Sequence, residues 1–63
     1  MELHVGDVVR LKSGGPEMTV IEFPLKITFG EDNPNYTKCQ WFDAESKLSN
    51  GTFIVDALEK VNN

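Results

Sequence analysis

Turn-forming residues interrupt this chain so often that no long helix fits between them. Clusters at Ser13-Gly14-Gly15-Pro16, Gly30-Glu31-Asp32-Asn33-Pro34-Asn35 and Ser49-Asn50-Gly51 divide it into short runs. The runs are rich in Val, Ile, Thr, Phe, Tyr and Trp, which suit a pleated, half-buried surface. No window sustains a 3.6-residue apolar period, so the sequence predicts an all-β fold.

Alternation places the strands. The first is expected from Asp7 to Lys12, with Val9 and Leu11 on one face and Val8, Arg10 and Lys12 on the other. A Gly14-Gly15 turn leads to a second strand from Glu17 to Phe23. There Met18 and Val20 alternate with Thr19, Ile21 and Phe23, so both sides are partly covered. Pro24 cannot donate to a ladder and ends this strand or marks an edge. The third strand, Tyr36 to Asp43, sets Tyr36, Lys38, Gln40 and Phe42 against Thr37, Cys39 and Trp41. Asn50-Gly51 suits the positive φ angles of a type I′ turn, which predicts a hairpin between Lys47-Leu48-Ser49 and Thr52-Phe53-Ile54. Val55 to Leu58 makes one helical turn and Glu59-Lys60-Val61 a last short strand. The segment from Pro24 to Asn35 is expected to extend the second strand and then protrude as a long loop. Together these describe a small SH3-like barrel of four to five short antiparallel strands with one helical turn near the C-terminus. Residues 1–63 form one domain, and barrel closure removes exposed edges.

Composition narrows the function classes. Six Lys and Arg against ten Asp and Glu give a net charge of -4, poorly suited to binding a polyanion. No apolar run approaches the roughly 18 residues of a membrane span, and no basic segment precedes an apolar one as in an export signal. The lone cysteine, Cys39, excludes an internal disulfide and fits a reducing compartment, so the cytoplasm is expected. A chain this short buries only about 60% of its unfolded surface, which keeps a homodimer open.

The series Val5-Gly6-Asp7-Val8-Val9-Arg10-Leu11-Lys12-Ser13-Gly14-Gly15-Pro16, Met18-Thr19-Val20, Cys39-Gln40-Trp41-Phe42-Asp43, Phe53 and Leu58-Glu59 resembles the YodC-like family of small bacterial and phage proteins. The likeness spans nearly the whole chain. It implies a small β fold and brings no established activity. Two departures are that Phe23 to Lys38 is longer than usual and that Ala44 replaces a glycine after Trp41-Phe42-Asp43. The opening block is also similar to the KOW element of ribosomal and elongation proteins, whose physical content is a tight turn beside an acidic residue that bonds backbone amides.

No catalytic constellation emerges. Asp7, Asp43 and Asp56 each lie beside a turn, where Asp caps backbone N–H groups, and no spacing pairs two of them as acid and base. His4 lies near a terminus expected to fray, and Cys39 reads as a small core residue, so neither metal nor cofactor is expected. Pro16 and a strand follow Gly14-Gly15, which makes a hairpin turn of it and not a phosphate cradle. Gly6, Asp7, Gly14, Gly15, Asp43, Asn50 and Gly51 are assigned to turns, and no enzyme activity is expected. The aromatic residues are the strongest lead, since so small a barrel cannot enclose them all. If Trp41 is in the core, Phe42 and Tyr36 face outward or lie under the segment from Pro24 to Asn35. Phe29, Tyr36, Gln40, Trp41 and Phe42 are therefore the candidate partner-binding residues of a non-catalytic module that holds a protein or a second copy of itself. One alternative is KOW-like binding of RNA or single-stranded DNA through Arg10, Lys12 and Lys38. Another, implied by the family resemblance, is a phage accessory protein that modulates a host factor.

Overall fold

The computed structural model describes residues 3–26 and 32–61. Among these residues seven strands run in chain order: β1 (Val8–Leu11), β2 (Met18–Glu22), β3 (Leu25–Lys26), β4 (Asp32–Asn33), β5 (Tyr36–Phe42), β6 (Leu48–Ile54) and β7 (Leu58–Lys60). A 3-10 turn at Val55–Ala57 precedes β7. The protein is thus a small all-β fold, as its patterning predicts. Five strands form one antiparallel sheet in the order β6-β5-β2-β1-β7, and β3 pairs with β4 in a separate two-stranded sheet.

Period-two alternation builds the core. Val9, Met18, Val20, Cys39 and Leu58 project from the inner face of the sheet, joined by Leu3 and Val55. Leu11, Phe23, Trp41 and Phe53 pack against this cluster. Trp41 and Phe53 meet edge to face with ring centroids 5.8 Å apart, a favoured aromatic geometry. Each fully buried Val or Leu contributes about 1.5–3 kcal/mol from the apolar surface removed from water. Thr37 is the buried polar side chain among the described residues. Its hydroxyl donates to the Glu22 carbonyl at 2.8 Å, so its burial leaves no unmet hydrogen bond.

The turn after β1 is made by Gly14 and Gly15, both at positive φ (113° and 111°), a conformation open to residues without a Cβ. The Gly14 amide closes it on the Leu11 carbonyl at 2.9 Å.

Several expectations need correction. Asn50-Gly51 is no turn: both residues lie inside β6, which pairs with β5 without interruption from Tyr36↔Ile54 to Phe42↔Leu48. The hairpin bend falls at Asp43 to Lys47 instead. Seven consecutive cross-strand pairs outweigh the local preference of one dipeptide. The segment from Pro24 to Asn35 is not wholly a loop, because Leu25 and Lys26 pair with Asn33 and Asp32. Nor does it extend β2, which ends at Glu22. Leu3 is 3% exposed, so the chain is anchored just before His4 and is not frayed there. Among the described residues β6 and β7 are the two ends of the main sheet, and they do not pair with each other.

Candidate interaction surface

The β5–β6 hairpin carries the candidate site, and its bend explains why. Asp43 Oδ1 accepts the amides of Glu45 (2.8 Å) and Lys47 (3.0 Å). The Ser46 amide donates to the Asp43 carbonyl at 2.9 Å, and the Asp43 amide to the Lys47 carbonyl at 2.9 Å. Ser46 sits at φ 63°, the left-handed residue that ends a tight three-residue loop. This bend sets Phe42 opposite Leu48 and fixes the register of all that follows.

Parity then sorts the side chains. Odd positions of the hairpin face the core: Thr37 opposite Phe53, Cys39 opposite Gly51, Trp41 opposite Ser49. Even positions face outward in four rows: Tyr36/Ile54, Lys38/Thr52, Gln40/Asn50 and Phe42/Leu48. Directly opposed side chains in such a ladder touch, with Cβ atoms about 4.5–5.5 Å apart. The two end rows are apolar and open to water: Phe42 is 69% exposed, Leu48 57%, Ile54 45% and Tyr36 39%. The two middle rows are polar. Thr19 of β2 pairs with Gln40 and extends the polar row across the sheet.

Trp41, one of the candidate partner-binding residues, shares parity with Cys39 and Thr37 and packs, half-buried, against the core cluster. Phe42 and Tyr36 are the outward rings, and Gln40 lies between them in a polar row. Phe29 lies outside the described residues. Leu48 and Ile54 are surface members that sequence reasoning missed. A turn at Asn50-Gly51 put them on different strands, although Leu48, Asn50, Thr52 and Ile54 form an unbroken period-two series.

The basic residues proposed for nucleic acid do not gather. Lys38 stands opposite Glu22 across β5–β2, and Arg10 opposite Glu59 across β1–β7, with Arg10 Nε 3.0 Å from the Glu59 carboxylate. Lys12 lies at the Gly14-Gly15 turn, its amide donating to the Ala57 carbonyl at 2.9 Å. Gly6 lies in the bend before β1, where its amide donates to Val20 at 2.8 Å and the Asp7 amide to the His4 carbonyl at 3.0 Å. Asp7 Oδ2 accepts the His4 amide at 2.9 Å and lies 3.3 Å from Lys60 Nζ. The His4 amide holds its carboxyl below the ordinary value, with Lys60 and the His4 ring adding to this and partial burial opposing it. Burial pushes the Cys39 thiol up, and the nearby Thr37 hydroxyl pulls the other way. No group of three or more His, Cys, Asp or Glu side chains that could hold a metal occurs among the described residues. No helix there is long and apolar enough to cross a membrane.

Fold and surface together define a small all-β protein whose outer sheet face carries exposed apolar rows. The chain belongs to DUF2158, a family described as uncharacterized small protein, whose family model matches residues 4–58. That span takes in the bend before β1, the whole β5–β6 hairpin and the start of β7. No curated protein and no solved structure matches the chain.

Proposed function

We propose that this protein is a non-catalytic binding module of the cytoplasm, holding a protein partner on the outer face of the β5–β6 hairpin. One observation carries this: Phe42/Leu48 and Tyr36/Ile54 form two exposed apolar cross-strand pairs on a single face. Each pair makes a larger apolar spot than singly scattered residues do, and the two spots, at opposite ends of the hairpin with polar rows between them, give a partner two anchor points on one face. The sheet order β6-β5-β2-β1-β7, with a 3-10 turn before the last strand, supports an SH3-like architecture for the module. The likeness to the YodC-like series fits the same small β frame. The reading takes no nucleic acid as ligand, because the chain carries a net charge of -4 and Arg10 is paired with the Glu59 carboxylate.

Affinity capture with the wild-type chain and with Phe42→Ala and Leu48→Ser tests the reading. The variants are expected to lose at least about tenfold of the captured protein, since anchor residues dominate interface energy. Their stability should change by no more than about 0.5 kcal/mol, as for exposed positions generally. Equal capture by wild type and both variants would remove the reading's support.

A further inference from the structure

We infer that β6 pairs with the β6 strand of a second copy, antiparallel about a two-fold axis at Gly51, joining two main sheets into one. The seam runs along the edge of the hairpin whose outer face is proposed above as the docking surface, and it leaves that face open. The two ends of the main sheet differ in a telling way. β7 has three residues, and two of them are the charged Glu59 and Lys60, the usual protection of a sheet edge. β6 has seven residues, Leu48-Ser49-Asn50-Gly51-Thr52-Phe53-Ile54, with no charge and no proline. Its register with β5 holds for all seven pairs, so no bulge turns the edge away. Among the described residues no strand pairs with its far side.

The side chains also fit a copy of themselves. A two-fold axis at Gly51 sets each residue against the position equally far on the other side. Leu48 then meets Ile54 of the second copy, Ser49 meets Phe53, and Asn50 meets Thr52. Parity is kept, so outward residues meet outward residues. The apolar row Phe42/Leu48 runs on into Ile54/Tyr36 of the second copy, and the reciprocal row matches it. The polar row Gln40/Asn50 runs on into Thr52/Lys38. A slip of one residue would turn core-facing side chains outward. A slip of two would set Asn50 against Ile54 or against itself and shorten the seam.

No charge within β6 opposes this register. Each chain carries -4, yet the seam itself is uncharged. Lys47, just before β6 and 3.6 Å from Glu45, approaches the end of the second copy that carries Asp56. Seven residues give a seam about 23 Å long. Such a contact is at the small end of specific interfaces, so the pair exchanges with single chains as concentration changes.

Sedimentation equilibrium over a concentration series reads the association directly. The wild-type protein is expected to shift from one chain of 7.1 kDa towards two as concentration rises. Asn50→Lys with Thr52→Lys places Lys against Lys twice across the seam and is expected to weaken pairing at least about tenfold. Asn50→Glu with Thr52→Glu does the same with negative charge. Mixed in equal amounts, the two double variants are expected to recover pairing, since every Lys then meets a Glu. Both positions are exposed, and circular dichroism checks that each variant keeps the fold. If a double variant unfolds, amide exchange of the wild type decides. β6 amides directed away from β5 gain protection with concentration when the pair forms, and unchanged protection overturns it. A wild type that stays single at all concentrations also overturns the inference, as does a pair that survives both double variants or a mixture that stays single. A single-chain wild type whose captured protein is still lost on Phe42→Ala would leave the docking surface standing.

Discussion

Gly51 lies under the Trp41 ring on the core face of β6. A Cβ added there would meet the indole Cη2 at 3.4 Å and the Phe53 ring at 3.5 Å, which is ordinary van der Waals contact. Its φ is outside the left-handed region, unlike those of Gly6, Gly14 and Gly15. Glycine in a strand costs conformational entropy without compensation at such a position. Gly51→Ala is therefore expected to raise the unfolding free energy by about 0.5 kcal/mol, measured by urea denaturation. A loss of more than about 1 kcal/mol would instead fit the left-handed turn that Asn50-Gly51 suggests in isolation. The sequence misleads at this residue because turn preference is a local property. Which residue faces Gly51 is decided by the register of β5, twelve residues earlier in the chain at Cys39.

The hairpin formed by β5 and β6 depends on the bend at Asp43. That carboxylate holds two backbone amides, and Asp43→Ala is expected to cost about 1–2 kcal/mol. Ser46→Gly should act in the opposite direction. It relieves a left-handed residue that bears a Cβ and is expected to add about 0.5–1 kcal/mol. Thermal melts of the two variants, shifted in opposite directions, check both. The pattern of alternation made β1, β2 and β5 legible to within a residue or two at each end. In β5 it also assigned Thr37, Cys39 and Trp41 to one face and Tyr36 and Phe42 to the other. It could not reveal β3 and β4, since two-residue strands are too short to show a period. Half of the apolar surface stayed hidden for another reason: a turn placed at Asn50-Gly51 splits β6, and Leu48 and Ile54 join Phe42 and Tyr36 only once the bend is moved to Asp43–Lys47.

At the scale of the molecule, Asp7 ties the two ends of the chain together through the His4 amide and the Lys60 ammonium. Its carboxyl is held below the ordinary value of 3.8 first by that amide. The fold therefore prefers the ionised form, and the unfolded chain takes up the proton at higher pH. The resulting stabilisation is complete above 3.8 and is lost as pH falls below it. Asp7→Asn should flatten the acid limb of a stability profile followed by denaturant titration, and an unchanged limb would assign that limb to other carboxylates. The all-β class could be read from the sequence because the longer strands all obey one period. The open edge could not, because alternation gives the sheet its faces and is silent on its ends. A last consequence follows from the edge-to-face contact between Trp41 and Phe53. As the sole indole of the chain, half sheltered at the seat of the hairpin, Trp41 serves as a built-in optical gauge. Its emission will redden when the hairpin peels from the core, so melting can be followed by fluorescence with no dye attached.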